Sequence, residues 1–313
     1  MAKQVINFNK FNEYIINKYG QTLYEYFFKG YTEKFLKISS NSVHANWAKT
    51  GIERSIIDKK IKGNSLFELI KSILMPIPIK TKFIYPNQLG FGYFSDRLAA
   101  YIKKKGEILT STLIKKIGYD QSTVYLNNKN FQYKNLIWSG NLLDLIELLD
   151  EKKLNLNYLS TIFYNCIIKD NIKRNDQWIY YADKQLNIVR TSIEKNFASY
   201  LTPQNYTSIV VEKTCNYKDD IWNNPDKLKD IICQELIQVK LIDSINQIAK
   251  IYIEPIRDTY PIYHLDYERN LMELSSIINN KYHNIKLLGR TGTFWYNNCD
   301  HSIAQALNMA KHF

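Results

Sequence analysis

The sequence predicts an α/β or mixed α+β fold, because strand-like and helix-like segments alternate along its 313 residues. Ile209-Val210-Val211 is a β-branched run typical of a buried strand. Other segments repeat apolar residues at helical spacing and are bounded by capping residues or glycines. The sequence contains neither an internal repeat nor a low-complexity tract. The length allows two domains or one large domain.

The N-terminal part is predicted to be helical. Apolar residues between positions 8 and 15 share one helical face, and Gly20 ends that helix. Thr22 and Ser65 each stand three residues before a glutamate, which is the capping-box pattern for two further helices. Pro76 ends the helix that begins at Ser65, because proline lacks a backbone N–H.

Strands and helices alternate after Pro86. The predicted strands are 107–117, 123–126, 136–138, segments within 177–213, and 285–288. The predicted helices are 95–105, 142–149, 226–239, 267–278 and 300–311. The last of these helices carries one apolar face, formed by Ile303, Ala306, Leu307 and Ala310.

Composition excludes several classes of protein. The net charge is +12, but the lysines are dispersed, so we expect anionic small molecules rather than nucleic acid as ligands. The longest apolar run, around 162–168, is about half of the roughly 20 residues that a membrane-spanning helix needs. The five histidines and four cysteines show no metal-binding spacing, so no metal site is expected. We expect the cysteines to be small buried residues in a reducing cytoplasm; they are Cys166, Cys215, Cys233 and Cys299.

The C-terminal segment has a pattern that suits a ligand. Gly289-Arg290-x-Gly292 follows a short strand, and Asn298-x-Asp300 then opens a helix. Glycines let the backbone approach a ligand closely, and the N–H groups at a helix start favour partial negative charge. The same pattern also suits a simple glycine turn followed by an Asp N-cap.

This segment resembles the flavin-binding signature of the FAD-dependent amine oxidase and protoporphyrinogen oxidase superfamily, which includes UDP-galactopyranose mutases. In that superfamily the matching strand and helix start close over the isoalloxazine and ribityl part of FAD. The resemblance implies that FAD contacts are made by Gly289, Arg290, Gly292, Tyr296, Asn298, Asp300, His301 and Ser302.

Weaker resemblances cover most of the chain. They comprise Gly30-Tyr31-Thr32, Tyr85-Pro86 with the following glycine turn, and Ile137-Trp138-Ser139-Gly140. Residues that resemble the substrate-domain sheet are Trp178, Tyr180, Arg190 and Glu212, and the first three are implied to line the substrate. The implied organisation is a helical part of the substrate domain at 1–85, a returning segment of the FAD domain at 86–150, a mixed substrate-domain sheet with helices at 151–265, and the flavin-contacting segment at 266–313.

None of the eleven glycines forms the G-x-G-x-x-G that begins these flavoproteins. The resemblance therefore implies an incomplete FAD-binding domain, whose ADP-binding half is absent or supplied by a partner chain. No catalytic residue is identified from the sequence.

Three functions stay open. The first is a flavin-dependent oxidoreductase acting on a small molecule such as an amine. The second is a nucleotide-sugar mutase in which arginines hold the diphosphate; Arg190, Arg257 and Arg290 are the candidates. The third is a non-catalytic binding or assembly module.

Overall fold

The computed structural model describes residues 9–52, 85–127, 129–169, 172 and 174–313, and it confirms the α/β class. The strands are β1 Ile114–Gly118, β2 Thr123–Leu126, β3 Asn130–Gln132, β4 Leu136–Trp138, β5 Asn157–Lys169, β6 Trp178–Tyr180, β7 Arg190–Ile193, β8 Tyr206–Cys215, β9 Ile248–Ile262 and β10 Ile285–Leu287. The helices are α1 Phe11–Tyr19, α2 Gln21–Leu23, α3 Lys29–Leu36, α4 Gly92–Ile102, α5 Leu142–Leu148, α6 Asp220–Asn223, α7 Lys229–Gln238, α8 Tyr267–Lys281, α9 Gly289–Gly292 and α10 Cys299–Ala310. The helix predicted to begin at Ser65 lies outside the described residues.

The N-terminal helices agree with the sequence except at one cap. Helix α1 ends at Gly20, whose φ of +89° is favourable for glycine. A π-helical stretch, Tyr24–Phe28, joins α2 to α3 without a break. The capping box predicted at Thr22 does not form, because the helix begins one residue earlier and Gly20 occupies the cap position. The Glu25 carboxylate instead accepts a hydrogen bond from the side chain of Gln21.

Five antiparallel strands form the largest sheet, in the order β6-β7-β8-β5-β9. Alternate residues of β5 and β8 are buried in one hydrophobic core, which also includes Ile232 and Leu236 of α7. The opposite face of the sheet carries Arg190 and Glu212, which stand directly opposite each other on β7 and β8. The register of the strands therefore separates an apolar face from a face that carries charge.

The remaining strands form two smaller sheets. Strands β1, β2 and β3 form an antiparallel meander, although only the last residues of the strand predicted at 107–117 are in β1. Strands β4 and β10 pair in parallel, with Leu287 opposite Trp138. This parallel pair brings two segments together that are about 150 positions apart in the sequence.

Three of the cysteines are buried, as expected, but Cys299 is exposed because it begins α10 at the surface. The apolar face of α10 is also partly uncovered, since Ile303 is 40% and Leu307 63% exposed. Within the described ranges, no cluster of three His, Cys, Asp or Glu side chains is arranged to hold a metal ion. No helix there combines the length and apolar character needed to cross a bilayer.

Two lysines are buried beside the large sheet. The Nζ of Lys34 donates to the carbonyl oxygens of Tyr181 and Asp183, at 3.0 and 2.8 Å. The Nζ of Lys213 donates to Oδ1 of Asn187 at 2.9 Å. Burial is the main cause that lowers the pKa of both amines to about 8.

Because of these two lysines, we expect the stability of the protein to depend on pH. Between pH 8 and 10 the unfolded chain holds more protons on Lys34 and Lys213 than the folded protein does, so the free energy of unfolding should rise with pH. Lys213→Met should reduce that rise, and Lys103→Met, on an exposed lysine, should leave it unchanged. Urea unfolding measured between pH 7.5 and 9.5 checks this. An equal rise in Lys213→Met and in the wild type would contradict it.

Candidate functional site

The carboxyl ends of the parallel strands β4 and β10 lie side by side. The N–H of Leu288 donates to the carbonyl of Trp138 at 2.9 Å, and Oγ1 of Thr291 donates to the carbonyl of Ser139 at 2.8 Å. In open α/β sheets, ligands bind at the edge where the carboxyl ends of parallel strands meet. The predicted Gly289–Gly292 segment is therefore at the edge of the sheet where a ligand is expected.

The two glycines of this segment have different roles. A Cβ on Gly292 would lie 2.6 Å from the carbonyl oxygen of Trp138, so only glycine permits α9 to approach β4 this closely. Gly289 has a φ of +74°, and a Cβ there would approach nothing nearer than Ser139, at 4.0 Å. Glycine at position 292 thus lets α9 pack closely against β4, while the space beside the turn at Gly289 is open.

The start of α10 faces solvent. Asn298, rather than the predicted Asp300, occupies the N-cap position, and its N–H donates to Nδ1 of His301 at 3.3 Å. Oγ of Ser302 donates to Oδ1 of Asn297 at 3.2 Å. The N–H groups of Cys299 and Asp300 have no acceptor among the described residues. His301 and Ser302 therefore stabilise the turn, and the exposed donors are backbone amides.

Arg290 is held by its own chain. Its Nε donates to the carbonyl of Asn297 at 3.0 Å, and one terminal nitrogen donates to the carbonyl of Thr259 at 3.2 Å. The guanidinium also lies 5.4 Å from the ring centre of Tyr260 and 5.0 Å from that of Tyr296. Arg290 thus connects β9 to the loop before α10 and places a positive charge between two tyrosines.

Arg190 and Glu212 form an ion pair on the charged face of the large sheet. Nε of Arg190 lies 2.8 Å from Oε1 of Glu212, and a terminal nitrogen of Arg190 contacts the same oxygen. Glu212 is only 5% exposed, and its Oε2 has no hydrogen-bond partner among the described residues. The hydroxyl of Tyr180 lies 3.5 Å from Arg190. The pair therefore contains one buried acceptor, Oε2 of Glu212, to which no described residue donates.

A series of aromatic contacts joins this pair to the C-terminal segment. The ring centres of Tyr180 and Tyr31 are 5.8 Å apart, and those of the stacked rings of Tyr31 and Phe35 are 5.7 Å apart. Phe35 contacts Tyr260 at 4.9 Å, and Tyr260 contacts Tyr296 at 5.3 Å. We call these five rings, with Arg190, Glu212 and Arg290, the Arg-Tyr cluster.

The charges of the Arg-Tyr cluster are well defined. Burial is the main cause that raises the pKa of Tyr31, Tyr260 and Tyr296, so all three phenols are neutral at physiological pH. Burial opposes the charge of Arg190, but Glu212 outweighs it and raises the pKa of the guanidinium. Two cations and one carboxylate leave the cluster with one net positive charge.

Not every predicted residue belongs to this site. The structure brings Tyr180, Arg190, Arg290 and Tyr296 together. Trp178 is 47% exposed and packs on Phe197 at the rim of the sheet. Arg257 pairs with Asp144 and Asp258, each at 2.6 Å, so its charge is already compensated.

The sequence did not identify several members of the site. Tyr31 lies in a segment that resembles the superfamily, but no role was predicted for it or for Tyr260. Trp47, which stacks on Tyr296 at 5.1 Å, carried no signal in the sequence. The glycine-tyrosine pair at Gly30 and Tyr31 was the one pattern that could have identified Tyr31 as a site residue.

The fold is shared with solved protein structures at low sequence identity. A reduced UDP-galactopyranose mutase matches with a TM-score of 0.80 and 15% identity, over 98% of this chain and 67% of that chain. A putative protoporphyrinogen oxidase from Exiguobacterium sp. 255-15 matches with a TM-score of 0.68 and 14% identity, over 96% and 66%. The PF1083 protein from Pyrococcus furiosus matches with a TM-score of 0.55 and 12% identity, over 91% and 62%.

This chain therefore spans about two thirds of the length of these structures. No protein-family model matches the sequence, and a search of curated proteins found no match. At identities this low, the structural matches show a common fold alone.

Proposed function

We propose that this chain forms the flavin-facing wall and the substrate pocket of a flavin-dependent enzyme whose substrate is a nucleotide-sugar or a similar anion. The observation that supports this most directly is the continuous Arg-Tyr cluster. It extends from the Arg190–Glu212 pair on the sheet to Tyr296, which lies in the C-terminal segment. One site would therefore serve both the cofactor and the substrate.

The residues of the C-terminal segment fit a flavin ring. Free N–H groups at the start of α10, together with the positive end of the helix dipole, would stabilise a ring that becomes anionic on reduction. Nδ2 of Asn297 is a buried donor without an acceptor in the described part of the chain. The open space at Gly289 permits close approach of a planar ligand. Bound flavin would supply the redox or nucleophilic chemistry, and this chain would hold and orient the ring.

The charge of the cluster favours an anionic substrate over an amine. An amine is a cation at neutral pH and would meet the net positive charge of Arg190 and Arg290 in a largely buried site. A diphosphate would gain from that charge and from neutral tyrosine hydroxyls that act as donors. The hydroxyls of Tyr31 and Tyr260 make no hydrogen bond to any described residue, so both are available to a ligand. The nucleotide-sugar alternative is thus better supported than amine oxidation.

The adenosine part of FAD needs a separate binding unit. The sequence contains no G-x-G-x-x-G, and the fold shared with flavoproteins covers about two thirds of their length. We propose that a dinucleotide-binding unit outside this sequence, such as a partner chain, holds the ADP moiety. This chain alone should therefore bind the flavin ring only weakly.

Calorimetric titration with UDP tests the substrate class. We expect UDP to bind, and Arg190→Lys to weaken binding about tenfold, because lysine keeps the charge but loses the two-pronged contact. Arg174→Lys is the matched control, since Arg174 is exposed and pairs with Asp176 away from the cluster. Benzylamine should not bind. Binding of benzylamine without binding of UDP would refute the anionic assignment, and binding of neither would favour a non-catalytic module.

A further inference from the structure

The outer edge of the large sheet is open along β9. One side of this strand pairs with β5, and β9 is the last strand of the sheet. Along 249–256, no backbone hydrogen bond reaches the other side from any described residue. A long unpaired edge presents a row of N–H and C=O groups that can pair with another strand.

The sequence of this edge is complementary to itself. Around Tyr252, Lys250 and Glu254 are equally distant in opposite directions, and so are Ile248 and Ile256. An antiparallel copy centred on Tyr252 would therefore place each lysine opposite a glutamate. Lys250, Tyr252, Glu254 and Ile256 lie on one face of the strand, because they alternate along it. Ile248 lies on the other face and packs against the core, because a bulge at Ala249 interrupts the alternation.

The charged side chains of this edge have no ionic partner among the described residues. Lys250 and Glu254 are exposed and lie about 13 Å apart along the strand, too far to pair with each other. Neither Lys250 nor Glu254 forms an ion pair with any described residue, and Nζ of Lys250 lies 4.3 Å from the ring centre of Tyr252. The two charges are therefore free to pair with a second copy.

We propose that a second copy of this chain pairs with β9 edge to edge, antiparallel, about a two-fold axis at Tyr252. Lys250 then pairs with the partner's Glu254, and Glu254 with the partner's Lys250. Ile251 and Ile253 exchange backbone hydrogen bonds with the partner's Ile253 and Ile251. The two sheets become one continuous sheet of ten strands.

Pro255 is compatible with this pairing and helps to select its register. Proline in a strand normally directs its N atom to the open edge, and Ile251 and Ile253 then direct their backbone groups to the same edge. The proposed register places Pro255 opposite the partner's Ala249, where a bulge already interrupts the regular pairing of β9. Other registers would bring like charges together or place the proline nearer the centre of the pairing, so this edge disfavours foreign strands.

Charge reversal tests the proposal by sedimentation equilibrium over a range of concentrations. The wild type should be a dimer. Lys250→Glu and Glu254→Lys should each weaken the dimer about tenfold or more, because each change sets two like-charged pairs opposite each other. The double variant Lys250→Glu/Glu254→Lys restores both pairs and should restore the dimer.

Lys103→Glu, at an exposed position on the segment after α4, is the matched control and should leave the dimer unchanged. Thermal unfolding of every variant confirms that it is folded, since these side chains are exposed. A monomeric wild type, single variants that dimerise normally, or a double variant that stays monomeric would each overturn the proposal. UDP titration is independent of these outcomes.

Discussion

Replacing Arg190 with methionine is expected to lower the free energy of unfolding by about 3–5 kcal/mol, because it leaves the buried Glu212 carboxylate without its cation. Glu212 is nine-tenths buried, and one of its oxygens already lacks a partner among the described residues. Burial raises the pKa of this carboxyl group even beside Arg190, so removal of the cation should raise it further. Urea unfolding at pH 7 measures the loss.

The double variant Arg190→Met/Glu212→Leu provides the control. Removing both charges should recover most of the lost stability, since two apolar side chains need no ionic compensation. The single variant should also gain stability relative to wild type as the pH falls, because a carboxyl with a raised folded pKa stabilises the folded state at low pH. If the double variant were less stable than Arg190→Met, the interpretation that Arg190 and Glu212 compensate each other's buried charge would be wrong.

Gly292→Ala should destabilise the protein by about 1–3 kcal/mol through overpacking. The new Cβ would lie 2.6 Å from the carbonyl oxygen of Trp138 and 3.2 Å from Cα of Ser139, and both atoms are backbone. Backbone atoms cannot rotate away as a flexible side chain can, so α9 must move from β4. Thermal unfolding measures the loss, and reduced FMN binding should weaken because the segment that faces the ring has shifted.

Gly92→Ala is the matched control for this substitution. Gly92 begins α4, and a Cβ there meets nothing within 4 Å. Alanine at such a position should be neutral or stabilise the helix by about 0.5–1 kcal/mol. Equal stability losses in the two variants would show that the close contact between α9 and β4 is not what requires glycine.

Local patterns predicted those elements whose cause is local. Strands β2 and β4 begin and end where the β-branched and aromatic runs indicated, and α10 was displaced by only one residue. The capping box at Thr22 failed because Gly20, at a positive φ, starts the helix earlier. A cap pattern in the sequence does not show which residue leaves the helical conformation first.

The features that local patterns did not predict depend on contacts between distant parts of the chain. Strand β9 was not predicted; prolines at 255 and 261 interrupt its sequence, and proline within a run argues against a central strand. Arg290 was predicted to contact FAD, yet its donors bind carbonyl oxygens of Thr259 and Asn297. Thr259 lies in an irregular stretch of β9 that the sequence gives no sign of. The prediction that Arg290 itself touches the cofactor remains a proposal.

We propose above all that the C-terminal segment and the Arg-Tyr cluster form one site for a flavin ring and an anionic substrate. Amide hydrogen exchange with dithionite-reduced FMN and UDP tests this most directly, since FMN carries the ring without the adenosine part. We expect slower exchange at Cys299 and Asp300 with FMN, and around Arg190 with UDP, each enhanced when both ligands are present. Unchanged exchange at these amides, or protection confined to other surfaces, would contradict it.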